Sequence, residues 1–436
     1  MGQFTRRDAI KALGATAVAA AVPSVGATAA PEYHVVPEKG AELKLLRWKT
    51  FVQSDEDQWL ANTRRFTEQT GVRVLVENVN VSDITSKAHM AASVGAGPDL
   101  LVGALEDPQL YPEQCLDVTE LAMYLGEKYG GWYDACRHYC TLADRWLGLG
   151  LAFYPYLVVY RESMVKAAGF SEIPQDLPGF LKLCRALKAR GTPAGLPLGN
   201  AYDSHAWCYW LIWAYGARLV DEDNRVAINS KETIAALEYA QALYPTFISG
   251  TLSWLDPSNN KAFLAGEISL TYNPVSIYYV AKTSSDPAMK AVAADIQHAH
   301  PPIGPVGRRM EYSGFAPIVI FKYTKYPNAA REYLRFMFER EQYGAWEQAS
   351  FGYVCQTLRA YESNPIWTAD PKITPFRDGG ALSLYAGYAG KVGPASAACS
   401  ADFIIPNMVA EVVSGQSTAK AAVARAEQRA RRYYKA

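Results

Sequence analysis

The sequence predicts an α/β fold in which parallel strands alternate with crossover helices. Two observations support this: short apolar runs alternate with segments of helical spacing between residues 41 and 102, and a second alternating unit begins after residue 150. A third observation is that half of the 436 residues are apolar and a fifth are charged, so the chain can bury a large core. The length allows two or three domains.

The first alternating unit contains three predicted strands and two predicted helices. They are a strand at 43–48, a helix at 59–71, a strand at 72–76, a helix at 84–94 and a strand at 99–102. Gly71 and Pro98 separate neighbouring elements, as is typical of these residue types. Strands that alternate with helices pair in parallel, because each helix carries the chain back across the sheet.

The second unit begins with a strand-like run at 151–160 and an amphipathic helix at 178–190, which Gly191 ends. Apolar spacing predicts the later elements in the same way. They are helices at 234–244, 261–264, 328–341 and 417–434, and strands at 267–272 and 316–321.

An aromatic segment lies between these elements, at residues 204–215. Its Trp207, Trp210 and Trp213 are three residues apart and leave no polar face. Because a helix without a polar face is normally buried, we expect most of these rings in the core. Ligand contacts are expected only at its N-terminal end.

Residues 1–30 have the layout of an export signal. Arg6 and Arg7 precede a weakly hydrophobic run, which resembles the twin-arginine signal of bacterial proteins that are exported already folded. Cleavage is expected after Ala29 or Ala30. An ordinary amphipathic or anchoring helix is the alternative. No later segment offers about 18 consecutive apolar residues, so we expect a soluble mature protein in the periplasm.

The composition excludes some classes of partner. Lys plus Arg and Asp plus Glu both total 43, so there is no net charge to favour nucleic acid or an anionic membrane surface. The chain contains 10 Trp, 28 Tyr and 15 Phe, whose flat side chains suit both core packing and the recognition of ring-shaped ligands.

Most of the seven cysteines lie in apolar surroundings and are expected in the core, although an oxidising periplasm would permit one or two disulfides. Cys136 and Cys140 flank His138, but on a helix this histidine would point away from both, and no second pair completes a zinc site. His298 and His300 lack a third ligand. The sequence has no phosphate-binding loop and no nucleophile elbow, so we expect neither a metal nor a cofactor.

Several motifs together resemble one family. In order and spacing they are similar to extracellular solute-binding proteins of the maltose-binding type (family 1), the capture subunits of ABC importers. The resemblance covers most of residues 41–436. It rests on the segments at 95–99 (GAGPD), 261–270 (KAFLAGEISL), 312–320 (YSGFAPIVI), 328–341 and 412–417 (VVSGQS).

This resemblance implies a fold of two α/β lobes joined by hinge crossings of the chain. Residues 31–40 would form an N-terminal segment. Lobe 1 would comprise residues 41–152 plus 300–342, and lobe 2 residues 158–295 plus 347–436. Crossings are expected near 152–158, 296–302 and 342–347, with the ligand between the lobes.

The resemblance also implies a set of site residues. Trp48 and Trp346 are the candidate stacking rings, with ordinary packing as the alternative for both. One wall would hold Trp48, Lys49, Ser54, Asp55, Glu106 and Asp107. The opposite wall would hold Asn200, Asp203, His205, Asn273, Ser276 and Tyr353, with Tyr154, Ser313 and Trp346 near the crossings.

The function implied is the periplasmic substrate-binding component of an ABC importer. It would capture a sugar or related polyol and deliver it to the membrane subunits of the permease, acting as a monomer and not as an enzyme. A non-sugar solute such as an organic cation, held in an aromatic cage, is one alternative. An exported carbohydrate-active enzyme is another, and it would need a catalytic pair of carboxylates.

Overall fold

The computed structural model describes residues 33–435, whose strands form three sheets. The strands are β1 (Glu42–Trp48), β2 (Arg73–Val79), β3 (Leu100–Val102), β4 (Thr141–Leu142), β5 (Arg145–Trp146), β6 (Leu149–Pro155), β7 (Leu157–Arg161), β8 (Leu270–Asn273), β9 (Ile296–Ala299), β10 (Glu311–Ile320) and β11 (Ser383–Leu384). The larger sheet has the order β11-β10-β3-β1-β2 with β6 also paired to β10, the second has the order β8-β7-β9, and β4 and β5 form a hairpin.

The helices cover the sheets and make up most of the remaining structure. They are α1 (Gln53–Thr70), α2 (Val81–Val94), α3 (Asp107–Leu110), α4 (Thr119–Lys128), α5 (Asp134–Cys140), α6 (Glu162–Ala167), α7 (Leu177–Ala189), α8 (Tyr202–Ala214), α9 (Lys231–Leu243), α10 (Asp256–Leu264), α11 (Ser276–Thr283), α12 (Pro287–Asp295), α13 (Pro327–Met337), α14 (Arg340–Ala349), α15 (Ile366–Ala369), α16 (Gly379–Leu382), α17 (Pro394–Ala401), α18 (Ile404–Val413) and α19 (Ala419–Ala430).

The first predicted unit is confirmed. Strand β1 pairs in parallel with β2 and with β3, and α1 and α2 make the crossovers. Helix α1 ends at Gly71, whose φ of 75° is a left-handed conformation that glycine adopts without strain. The carboxyl ends of the three strands, at Trp48, Val79 and Val102, therefore lie at one edge of the sheet, where ligand sites of α/β proteins form.

The predicted strand at 151–160 is in fact two strands in different sheets. Strand β6 pairs antiparallel with β10, whereas β7 pairs antiparallel with β8 and β9. Tyr156 lies between them, where the chain passes from one sheet to the other. Both strands are buried almost throughout, so the apolar run continues across the boundary and gives no local sign of the change of partner.

The predicted helix at 328–341 is also interrupted. Helix α13 ends at Met337 and α14 begins at Arg340, because Glu339 adopts an extended backbone with ψ of 150°. Its carboxylate accepts hydrogen bonds from the Tyr124 hydroxyl at 2.9 Å and from Lys128 Nζ at 2.7 Å. Tyr124 and Lys128 are 215 and 211 residues away from Glu339 in sequence. The helical period of residues 328–341 therefore cannot reveal the break.

The aromatic segment forms α8, and its prediction as core is confirmed. Trp207, Trp210 and Trp213 are each at most 1% exposed. The indole of Trp207 donates to the Pro197 carbonyl at 2.6 Å and that of Trp210 to the Pro302 carbonyl at 3.2 Å. The helix therefore anchors neighbouring loops from inside the core.

Two expectations concern membranes and export. Within the described residues, the stretch Pro394–Val413 is long and apolar enough to span a membrane, with a mean hydropathy of 1.2. It is divided into α17 and α18, and 56% of it is buried inside the protein, as in a core helix. The predicted export signal and its cleavage point lie outside the described residues. All seven cysteines are buried free thiols.

Candidate functional site

Two connected cavities lie at the carboxyl ends of β1 and β3, facing the end of β8. The inner one has a volume of about 70 Å³ and the outer one a volume of about 1100 Å³. We call them together the cleft. Its lining residues fall within segments 48–51, 80–89, 103–110, 154–156, 200–205, 255–260, 273–276, 314–315 and 397–403, with Tyr353 and Tyr433. The lining thus comes from loops that follow strands of both sheets.

One side of the inner cavity is formed by Trp48, Phe51, Tyr154 and Tyr353, which we call the aromatic wall. The ring centroids of Trp48 and Tyr154 are 5.4 Å apart at 68°, and those of Trp48 and Tyr353 are 6.1 Å apart at 63°. Such edge-to-face contacts hold the rings in place. The wall is therefore a fixed apolar surface that a flat or ring-shaped solute can contact.

A carboxyl pair faces the same cavity. The Asp203 carboxylate accepts from the Tyr156 hydroxyl and from Asn259 Nδ2, both at 2.8 Å, and the Asp203 backbone N–H donates to Asp256 Oδ1 at 2.9 Å. Burial raises the pKa of Asp203 well above its usual value, and the neighbouring Asp256 raises it further. Burial also raises the pKa of Asp256. The two groups therefore resist ionising together.

Amide and hydroxyl groups continue from this pair along the end of β8. Asn259 Nδ2 also donates to Asn273 Oδ1 at 3.0 Å, and Asn273 Nδ2 donates to Ser276 Oγ at 3.0 Å. Asn260 Nδ2 donates to the same Ser276 oxygen at 3.0 Å. Asn259 is fully buried, so it positions the lining residues Asp203 and Asn273 without facing the cleft itself.

The loop after β3 carries a second pair of acidic residues. It is held against β10 by hydrogen bonds from the Gly103 N–H to the Pro317 carbonyl at 2.9 Å and from the Leu105 N–H to the Phe315 carbonyl at 2.8 Å. Leu105 has a φ of 47°, a strained conformation for a side chain other than glycine. This conformation of the loop places Glu106 and Asp107 in the cleft wall.

Glu106 and Asp107 are only 3% and 4% exposed. Asp107 Oδ2 accepts from the Ala104 N–H at 2.9 Å, and the Thr85 hydroxyl donates to Asp107 Oδ1 at 3.2 Å. Burial raises the pKa of Glu106 to about 8 and the pKa of Asp107 to about 7. Both groups therefore hold protons more tightly than exposed carboxyls do.

Eleven of the fifteen residues proposed from the sequence line the cleft. They are Trp48, Lys49, Glu106, Asp107, Tyr154, Asn200, Asp203, His205, Asn273, Ser276 and Tyr353. Their roles in binding stay predictions.

Asp55 and Trp346 lie elsewhere, in the core beside α1. Asp55 Oδ1 accepts from Arg47 Nη2 at 2.7 Å in a buried ion pair. Burial raises the pKa of Asp55, and the Arg47 guanidinium opposes that shift. Trp346 packs against Trp59 with ring centroids 5.3 Å apart, and each is 1% exposed. Both residues are thus placed as packing partners and not on the cleft wall.

Ser54 and Ser313 also lie off the cleft wall. The Ser54 hydroxyl donates to the Ala349 carbonyl at 2.5 Å, which ties the start of α1 to the end of α14. The Ser313 hydroxyl donates to the Gly379 carbonyl at 3.1 Å. Each hydroxyl already has a backbone partner, which accounts for its position.

Several lining residues were not foreseen from the sequence. Phe51, Tyr156, Tyr202, Asp256 and Asn260 all line the inner cavity. Tyr202 immediately precedes Asp203 in sequence, so the prediction of Asp203 as a site residue could have been extended to it. Asp256 begins α10 and meets Asp203 only in the folded chain, and no local signal marks it.

A relative in Brucella abortus (strain 2308) that is named a binding protein is 23% identical over 210 residues. A Brucella suis relative with the same kind of name matches equally. The match covers 46% of this chain and 48% of the relative, so the chain spans about half the length of the curated relatives it matches.

Solved structures match over nearly their whole length. A maltose-bound protein of T. maritima has a TM-score of 0.76 at 17% identity, covering 90% of this chain and 99% of that one. The GacH receptor of Streptomyces glaucescens, solved unliganded and with acarbose, has a TM-score of 0.75 at 15% identity, covering 91% and 99%. These likenesses establish the fold, which is the two-lobed fold of periplasmic binding proteins.

The family itself is shown by the sequence. A family model described as bacterial extracellular solute-binding protein matches residues 62–375, which is most of the described chain. The motifs at 261–270 and 312–320 lie inside that match. The chain therefore belongs to the bacterial extracellular solute-binding proteins.

Proposed function

We propose that this protein is the substrate-binding component of an ABC importer and captures a sugar or polyol solute in the cleft. The observation that carries the proposal is the combination of a fixed aromatic wall with amide, hydroxyl and carboxyl groups in one cavity. A sugar has apolar C–H faces and a belt of hydroxyls, so it needs both kinds of surface.

The neighbouring structures support the same class of solute. Those proteins were solved with maltose, with acarbose and, for a sugar transporter of Arthrobacter chlorophenolicus, with laminaribiose. At 14–17% identity they share the fold with this chain, and the lining residues carry the argument for the solute.

The proposed lobes are residues 41–152 plus 300–342 and residues 158–295 plus 347–436. Support comes from the strand partners: β7 to β9 form a sheet of their own, and the chain leaves the larger sheet at Tyr156. The short β11 does not support this division, because residues 383–384 belong to the second proposed lobe and yet pair with β10 of the larger sheet. A solute held between the lobes would gain contacts from both when the cleft closes.

Family membership supports a proposal about export and delivery. We propose that the N-terminal twin-arginine-like segment directs the folded protein to the periplasm, where it acts as a monomer and hands its solute to the membrane subunits of a permease. The proposal is for a binding protein without catalytic activity, and it can be tested directly by looking for turnover of bound glycosides.

The test is a thermal-shift screen across sugars, polyols, oligosaccharides and organic cations, followed by calorimetry on the solute that stabilises the protein. Trp48→Ala and Asn273→Ala should each weaken binding by about tenfold or more, which corresponds to about 1.4 kcal/mol. Asn229→Ala, which alters an exposed amide that is not among the cleft-lining residues, is the matched control. Affinity that is unchanged in both cleft variants would contradict the proposed site.

A further inference from the structure

One acceptor in the cleft wall lacks a hydrogen-bond partner. Glu106 is 3% exposed, and its Oε1 is buried without a donor in the part of the chain that the structure describes. Nearly all buried polar atoms in folded proteins are paired, so an orphaned carboxyl oxygen beside a cavity needs an explanation. A donor supplied by a bound solute would satisfy it.

A second acceptor has the same character. Asn260 Oδ1 is also buried and unpartnered, while the amide nitrogen of that residue is already bonded to Ser276 Oγ. Asn260 lines the inner cavity and Glu106 the outer one. Both orphaned atoms are acceptors, which indicates a solute that presents hydrogen-bond donors to both parts of the cleft.

Acidic side chains in the cleft lining outnumber basic ones. Glu106, Asp107, Asp203 and Asp256 all line it, and among the described residues none of them is in an ion pair. Of the lining residues described, Lys49 alone carries a permanent positive charge, and it is exposed. No group of three or more metal-ligating side chains occurs in residues 33–435, so these carboxyls favour an organic cation over a metal ion.

We propose that the solute is an amino-bearing sugar or polyol whose protonated amine binds the Glu106 carboxylate. An ammonium group has three donors and no acceptor, which matches a wall that offers unpartnered oxygens. The aromatic wall and the Asn273 amide would contact the carbohydrate part. This inference rests on the proposed function and narrows it to solutes that carry a positive charge.

Binding of the amine should displace a proton. Asp107 raises the pKa of Glu106, whereas hydrogen bonds from the Ser400 hydroxyl and from the Glu106 backbone N–H lower it. Glu106 in turn raises the pKa of six neighbouring groups, none of them basic, which are Tyr139, Tyr202, Tyr209, Tyr312, Cys399 and Tyr434. Burial raises the pKa of Glu106 to about 8, so at pH 6 the empty site holds a carboxylic acid. When the ammonium binds, that acid loses its proton to solvent and an ammonium–carboxylate pair forms.

The experiment uses matched pairs of solutes that differ only in amino groups. Glucosamine is compared with glucose and galactosamine with galactose, which differ in one amino group, and the glucosamine dimer is compared with cellobiose, which differs in two. Thermal shift identifies binders. Calorimetry at pH 6 in two buffers with different ionisation enthalpies then counts released protons. We expect tighter binding of the amino member in at least one pair, with release of about one proton, and none for its neutral parent.

Glu106→Gln supplies the decisive variant. Glutamine has the shape of the protonated acid, so the empty protein should fold, but it cannot form the ion pair. We expect a loss of about tenfold or more in affinity for the amino solute, no proton release, and less than a twofold change for a neutral parent. Glu113→Gln, which removes an acidic group that is 77% exposed, should change neither quantity.

The outcomes separate the two proposals. If the neutral parents bind as tightly as their amino partners, the amine site is overturned and the proposed function stands. If amines without hydroxyls bind and no carbohydrate does, the carbohydrate function is overturned. If no member of any pair raises the melting temperature, the amine site is overturned. Unchanged proton release in Glu106→Gln would overturn the assignment to Glu106.

Discussion

The stability of the empty protein should fall as pH rises from 5 to 8, in part because Glu106 is buried. Its pKa is about 8 in the folded chain and 4.5 when exposed in the unfolded chain. The folded state thus binds this proton more tightly than the unfolded state does. The resulting stabilisation is complete below the unfolded pKa and is lost as pH rises through the folded one.

The size of the effect follows from the two pKa values. Between pH 5 and pH 8 the linkage relation gives a loss of about 3.5 kcal/mol from Glu106 alone. Spread over about 400 ordered residues, that corresponds to about 4 °C in melting temperature. Asp107, with a pKa of about 7, acts in the same direction. His205 has its pKa lowered to about 3 by burial and opposes the trend only below about pH 6.5.

The assay is urea unfolding of the ligand-free protein at pH 5, 6, 7 and 8, followed by tryptophan fluorescence. Wild type and Glu106→Gln are compared at each pH, so contributions from other groups cancel. We expect the variant to gain about 3.5 kcal/mol over wild type between the two extremes, whereas the exposed control Glu113→Gln should follow wild type. If the free energy of unfolding changed with pH in the same way for wild type and Glu106→Gln, the conclusion that Glu106 is buried and protonated would be refuted.

Three further predictions concern packing, positioning and motion. Asp55→Ala should destabilise the protein by about 3–5 kcal/mol in denaturant unfolding, because the buried Arg47 would lose its partner; a change below about 1 kcal/mol would contradict the ion pair. Asn259→Ala should weaken solute binding by about tenfold in calorimetry, since Asp203 and Asn273 lose a shared donor, and intact affinity would exclude that positioning role. Small-angle scattering should give a smaller radius of gyration with bound solute than without it, and identical curves would count against hinge closure.

Hydrophobic period was enough to predict the elements that pack locally. Strands β1, β2 and β3 with their crossover helices follow from alternating apolar runs, and the burial of α8 follows from its lack of a polar face. The family resemblance implied Lys49 and Glu106 as wall residues, and both line the cleft in the loops that follow β1 and β3.

The same reasoning failed where partners are distant in sequence. Carboxylates and indole rings are groups that bind sugars. In the folded chain, however, the Asp55 carboxylate is paired with Arg47 and the Trp346 ring packs against Trp59. Asp256 was missed because it reaches Asp203 only when α10 packs near the end of β8.

The sequence by itself determined the family, the α/β class and the order of most helices and strands, since periodicity and motif spacing are local properties. Tertiary structure decided which sheet each half of residues 151–160 joins, and which polar groups are left for a solute. Asp55 finds a guanidinium in the core, whereas Glu106 Oε1 finds no donor at the cleft. Desolvation and hydrogen-bond satisfaction depend on distances between remote residues, and only the folded chain sets those distances.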